Sequence, residues 1–132
     1  LLLLSRLRFN VKLLLSFLML LLLATPAWAQ AVISVDITKA RLSWTWVQGT
    51  GGAVAEFRMK CGPSAGIYTS TTVLTDPAAR SVPVQQVVSG PGNYFCVVTA
   101  ANQFGESGPS NEVPFAAGNV PAAPSGLQIT AQ

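Results

Sequence analysis

The chain beyond residue 30 consists of short segments in which apolar and polar residues alternate, and this alternation constrains the fold more than any other feature. In the clearest segment, Phe57, Met59 and Cys61 are separated by charged residues. A period of two is typical of a strand with one buried face. Clusters of Gly, Pro and Asn separate the segments. The predicted strands cover residues 33–37, 41–46, 55–61, 67–74, 81–86, 94–100 and 110–115. This pattern predicts an all-β sandwich or barrel of seven strands.

Residues 1–29 have the three parts of a secretory signal peptide. A basic start that ends at Lys12 precedes an apolar run over 13–23, and the small residues Ala27 and Ala29 follow. These are the features of an export signal. The alternative is an uncleaved membrane anchor, but Lys12 cuts the apolar run below the roughly 20 residues that a spanning helix needs. We expect cleavage after Ala29, only transient contact with the membrane, and a secreted, periplasmic or cell-surface protein whose cysteines oxidise.

Charge and composition argue against several classes of function. The three basic residues of the signal segment account for the whole net charge of +3, so the remainder is neutral and nucleic-acid binding is not expected. The chain has no histidine, which is the commonest general base and metal ligand, and its 2 cysteines cannot complete a four-ligand zinc site. Residues 62–66 match G-x-S-x-G, but they join two predicted strands and have no histidine partner. We therefore expect neither an enzyme nor a cofactor or metal site.

Four stretches of the chain match one known family when they are taken together. They are Leu42-Ser43-Trp44, residues 62–68 (G-P-S-A-G-I-Y), residues 88–94 leading into Y-x-C-x-V-x-A-x-N, and residues 105–113 (G-E-S-G-P-S-N-E-V). Over residues 32–116 the chain resembles a fibronectin type III module. The resemblance implies an immunoglobulin-like sandwich, with the first, second and fifth strands in one sheet and the third, fourth, sixth and seventh in the other.

The resemblance also implies roles for individual residues. Trp44 becomes the core tryptophan, and Tyr94 a corner tyrosine that bonds back to the preceding turn. The third and sixth strands become antiparallel neighbours, which brings Cys61 and Cys96 within bridging range of each other. We expect a structural disulfide between them, worth roughly 3–4 kcal/mol in the chain-entropy account.

These expectations divide the chain into three parts. Residues 1–29 are the signal peptide, and residues 30–117 are the fibronectin type III-like domain. Residues 118–132 begin as a Pro/Ala-rich linker of semi-extended character. Their last part, from Pro124, looks like the opening strand of a further module.

Four side chains are candidates for contact with a ligand or partner. Trp46, at the end of the second strand, either closes the end of the core or stacks on a sugar or peptide. Phe95 and Val97 are expected to point outward beside Arg58, which would give a patch with a cation–π component. Phe104 lies in the glycine-rich loop after the sixth strand and either tucks inward or meets a partner.

Three functions are compatible with this sequence. The first is a non-catalytic exported module that acts in binding, spacing or assembly at the cell surface or outside the cell, with a protein or glycan partner. The second is the N-terminal accessory part of a longer secreted enzyme such as a polysaccharide hydrolase. The third is a subunit that self-associates in a filament or envelope layer through exposed strand edges and the face that carries Phe95.

Overall fold

The computed structural model describes residues 30–131, which form an all-β domain with one short helical turn. The predicted signal peptide, residues 1–29, lies outside the described residues. The strands are β1 (Ile33–Asp36), β2 (Arg41–Ser43), β3 (Glu56–Gly62), β4 (Ser70–Leu74), β5 (Ser81–Pro83), β6 (Gly92–Asn102), β7 (Gly105–Glu106) and β8 (Val113–Gly118). The helical turn α1 covers Val84–Val87. Within residues 30–131, no helix is long and apolar enough to cross a membrane.

The strands form two sheets. The larger sheet has the order β1-β8-β6-β3-β4, with β7 added to β6, and the smaller sheet pairs β2 with β5. The long antiparallel pair of β3 and β6 forms the centre of the larger sheet. The register of this pair places Cys61 directly opposite Cys96. The two sulfurs form the expected disulfide, with 4.2 Å between the Cα atoms. That separation is typical of a directly opposed pair in the close positions of an antiparallel ladder.

The first strand lies in the other sheet from the one we expected. β1 pairs in parallel with β8, from Ile33 opposite Phe115 onward, and does not pair with β2. Asp36 ends β1 with a tight turn, because its carboxylate accepts hydrogen bonds from the Thr38 backbone N–H and hydroxyl at 2.9 and 2.8 Å. The backbone N–H of Ile37 also donates to Gly118 at 2.8 Å, which extends the parallel pairing. The chain therefore changes sheets within this turn.

Several predicted strand limits are also wrong. The strand expected over 81–86 stops at Pro83, and α1 follows because Val84 and Val87 are then both buried on one side of a helical turn. The strand expected over 110–115 begins only at Val113 and continues to Gly118. The two-residue strand β7 makes eight strands in place of seven. The second and fourth strands are shorter than expected, at three and five residues.

The core lies between the two sheets. On β3 it uses the inward positions that the alternation predicted, whereas on β6 Val97, Thr99 and Ala101, which were expected to point outward, are also buried. Its buried residues are Met59, Cys61, Val82, Val84, Val87, Val88, Cys96, Phe115 and Ala117. Trp44 packs against this cluster, and its ring centroid lies 5.4 Å from that of the buried Phe57. Trp44 therefore contributes to the core, as expected.

Two turns lie next to the core. The Tyr94 hydroxyl donates a hydrogen bond of 2.8 Å to the carbonyl of Gly90, which confirms the expected bond to the preceding turn. In the β3–β4 turn, the backbone of Ile67 comes so close to Gly62 that a Cβ there would lie 1.8 Å from its carbonyl oxygen. Glycine is the residue that this close approach allows.

Residues 119–131 lie outside any strand. Three apolar side chains in this segment are largely exposed: Val120, Leu127 and Ile129. The opening strand of a further module, expected near Pro124, therefore has no strand partner within residues 30–131.

Candidate binding site at the loop pole

One end of the sandwich is formed by two loops, residues 44–55 and 102–110, which we call the loop pole. Two hydrogen bonds hold the loops together: the Ala55 backbone N–H donates to Ala101 at 2.9 Å, and the Asn102 side-chain amide donates to the Ala53 carbonyl at 3.1 Å. The Asn102 side chain also accepts from the backbone N–H of Phe104 at 2.9 Å. This Asx-type contact shapes the turn from β6 to β7.

Between the loops lies an open depression of about 410 Å³. Its lining includes Trp46, Gln48, Asn102, Phe104 and Ser107. The Gln48 side-chain amide nitrogen donates to the carbonyls of Gly51 and Gly52 at 3.0 and 3.1 Å. These hydrogen bonds fold residues 48–52 back on themselves. The depression therefore lies between two hydrogen-bonded loops and combines aromatic side chains with amide and hydroxyl groups.

The two aromatic residues of the loop pole are placed differently. Phe104 is 84% exposed at the rim of the depression. Trp46 is half-buried and meets Phe57 edge-on, with 5.9 Å between ring centroids. Trp46 thus packs at the end of the core, as the first alternative expects, and it also lines the depression.

Arg80 also contributes to this end of the molecule, and sequence reasoning did not find it. Its guanidinium carbon lies 5.4 Å from the ring centroid of Trp46 and 5.1 Å from that of Phe57. The guanidinium also donates to the Pro77 and Ala79 carbonyls at 3.1 and 2.6 Å. These contacts fix the Trp46 ring by cation–π attraction. No local signal marks Arg80, because it reaches the aromatic rings only through the fold.

Arg58 is held in an ion-pair network on the outer face of the larger sheet. Its guanidinium donates to Glu56 at 2.6 and 2.7 Å and to Glu106 at 2.9 Å. Glu106 also pairs with Lys60 and accepts a hydrogen bond of 2.6 Å from the Thr99 hydroxyl. The hydrogen bonds from Lys60 and Thr99 lower the pKa of Glu106 to about 2. Those to Glu56 and Glu106 raise the pKa of Arg58.

The patch expected around Phe95 is not assembled in this form. Arg58 lies opposite Thr99 in the β3–β6 register, whereas Phe95 lies opposite Gly62, at the far end of the pair. Val97, which we expected to be exposed, is 3% exposed. It lies opposite Lys60, on the face that carries the ion-pair network. The structure thus brings Trp46 and Phe104 together at the loop pole and leaves Phe95 and Arg58 apart.

At the opposite end of the sandwich, Glu112 ties the β3–β4 turn to the segment before β8. Its carboxylate accepts from the Tyr68 hydroxyl at 2.5 Å and from the Gly66 backbone N–H at 2.8 Å. These hydrogen bonds lower the pKa of Glu112 and raise that of Tyr68. Because the carboxylate is occupied by these two donors, we assign it a structural role.

Across the described part of the chain, no three or more His, Cys, Asp or Glu side chains gather where they could hold a metal ion. Both cysteines are in the disulfide. No protein-family model and no curated protein matches the chain.

Proposed function

We propose that the protein is an exported, non-catalytic module of fibronectin type III-like architecture that binds a partner through the loop pole. Three structural features support the architecture. The central β3–β6 pair, the contribution of Trp44 to the core and the hydrogen bond from Tyr94 to Gly90 all agree with the resemblance. The pairing of β1 with β8 departs from it, because the resemblance implies that β1 pairs with β2.

Export is supported by the sequence of residues 1–29 and by the disulfide. A cysteine pair buried at 1% and 2% exposure and closed by an S–S bond is typical of proteins that fold in an oxidising compartment. The non-reduced intact mass of the protein recovered after export tests this proposal. We expect the mass of residues 30–132 less two hydrogens. A larger mass would place the module at the front of a longer secreted protein, and a mass that includes residues 1–29 would contradict cleavage.

The observation that carries the binding proposal is the exposure of Phe104 at the rim of the depression. A phenylalanine that leaves 84% of its surface in water contributes nothing to the core, whereas an aromatic ring beside hydrogen-bonding groups is suited to contact with a protein or glycan surface. Trp46 is a poorer probe of binding. It packs on Phe57, so its removal would also lower stability.

The test compares Phe104→Ala with the control Val73→Ala. Val73 is also an exposed apolar residue, but it lies on β4, outside the two loops that form the loop pole. Retention of the exported protein is measured on immobilised cell-envelope polysaccharide and on immobilised surface proteins of the host. We expect Phe104→Ala to lose retention on one of these supports without a change in Tm, and Val73→Ala to keep it. Equal retention of both variants and the parent protein would contradict binding at the loop pole.

A further inference from the structure

Strand β2 has one hydrogen-bonding edge that no other strand within residues 30–131 uses. Every second residue along β2 and its flanks forms hydrogen bonds toward β5. The backbone N–H of Trp44 donates to the Arg80 carbonyl at 3.0 Å, and the Ala40 carbonyl accepts from the Val84 N–H at 3.0 Å. The register of β2 and β5 then directs the backbone groups of Arg41, Ser43 and Thr45 away from β5. Because β1 lies in the other sheet, this far edge of β2 has no strand partner within residues 30–131.

Two other edges in the structure carry features that hinder the addition of a strand. The outer edge of β5 carries Pro83, which lies opposite Arg41 and has no N–H to donate. Strand β4 lies near α1, because the Thr72 hydroxyl donates to the Gln86 carbonyl at 3.4 Å. The far edge of β2 lacks both devices, and unprotected edges are sites where further strands add.

A cleft of about 400 Å³ runs beside this edge, between β2 and the segment that leads into β8. Its lining includes the apolar Leu42, Met59 and Val98. Trp44 also lines it, and the indole Nε1 of Trp44 is buried with no hydrogen-bond acceptor among the described residues. A buried indole N–H normally has an acceptor. An extended segment in the cleft would therefore gain backbone hydrogen bonds from β2 and burial for alternate side chains.

Residues 126–130 of the same chain have the properties of such a segment. They read Gly-Leu-Gln-Ile-Thr, which is uncharged and alternates apolar and polar residues as a half-buried strand does. Leu127 and Ile129 are fully exposed, at 101% and 99%, so the segment does not occupy the cleft of its own molecule. Residues 119–125 separate it from β8 and can extend over about 23 Å, which is enough to reach a neighbouring molecule.

We propose that residues 126–130 of one copy add as a strand to the free edge of β2 in a second copy. Leu127 and Ile129 then enter the cleft, and Gln128 faces solvent. Since each copy offers one donor segment and one acceptor edge, the contact is heterologous and allows head-to-tail growth. This inference rests on the proposed export of the module and names a second copy of the chain as an additional partner. It does not involve the depression that Trp46 and Phe104 line.

The first test is the oligomeric state of the exported protein, measured by sedimentation equilibrium from micromolar to millimolar concentration. The test variant carries Leu127→Asp with Ile129→Asp, and the matched control carries the same added charge on the other face, as Gln128→Asp with Thr130→Asp. We expect the parent protein and the control to associate with rising concentration and the test variant to stay monomeric. A monomeric parent protein, or association that survives in the test variant, would overturn the proposal.

Hydrogen exchange locates the contact. We expect the amides of Arg41, Ser43 and Thr45 to exchange more slowly as concentration rises, whereas Trp44, already bonded to β5, is protected at every concentration. Protection that does not depend on concentration would mean that the molecule's own segment fills the cleft, and protection that rises instead at β1 would mean that another edge is used. Either result overturns the proposal. Phe104→Ala should leave association intact, so failure of loop-pole binding and failure of strand addition give different results.

Discussion

The disulfide should supply a large part of the stability of this domain. Cys61 and Cys96 lie opposite each other in the central strand pair and are 1% and 2% exposed. The bond closes a loop with a sequence separation of 35. In the chain-entropy account, a closure of this length removes roughly 4 kcal/mol of conformational freedom from the unfolded chain. Since small domains are stable by only about 5–15 kcal/mol, reduction should remove a quarter or more of the total.

The assay is urea unfolding of the exported protein with and without reductant, followed by tryptophan fluorescence. At a slope of about 2 kcal/mol/M, a loss of 4 kcal/mol lowers the midpoint by about 2 M. The double variant Cys61→Ala with Cys96→Ala should unfold at or below the midpoint of the reduced protein, because it also loses two buried sulfur atoms. Reductant should leave this variant unchanged. Oxidised and reduced proteins with free energies of unfolding within about 1 kcal/mol of each other would refute the loop-closure reasoning.

Three further predictions concern single residues. The pKa of Glu106 is lowered from 4.5 to about 2 in the folded protein, so its contribution is present above pH 4.5 and is lost as the pH falls toward 2. Glu106→Gln should therefore have a lower Tm than the parent at pH 6, and its Tm should fall less steeply as the pH is lowered toward 2. If the Tm of both proteins fell in parallel, Glu106 would not contribute as predicted. Tyr94→Phe should lose about 1 kcal/mol in urea unfolding because it loses one hydrogen bond to the preceding turn, and an unchanged midpoint would argue that the bond is not stabilising. Gly62→Ala should unfold the β3–β4 turn, because a Cβ there meets the Ile67 carbonyl at 1.8 Å, whereas Gly108→Ala, with open space around it, should leave the Tm near that of the parent.

The features that local pattern could predict are those set by a single strand or a neighbouring pair. Alternation in residues 55–61 placed Phe57, Met59 and Cys61 on one face, and the structure buries all three. The bond between Tyr94 and its preceding turn, which the resemblance implied, also spans only a few residues. Such features follow from sequence because the period of a strand decides which face each side chain takes.

The limits of strands were less predictable, and the reason is visible at Pro83. The apolar and polar pattern over 81–86 is compatible with a strand, but Val84 and Val87 reach the core only when the chain turns into α1. The core that they enter is made by residues far away in sequence, so a short local window does not contain the information that ends β5.

The composition and alternation of the sequence thus determined an all-β domain, its buried face and the residues able to form its disulfide. The tertiary structure alone decided which sheet receives β1, that Arg58 pairs with Glu106 across 48 residues, and that Phe104 meets Trp46 across one depression. It also decided that the far edge of β2 is left without a partner among the described residues. These features depend on which distant segments compete for the same hydrogen bonds and the same buried surface, and that competition is resolved only when the whole chain packs.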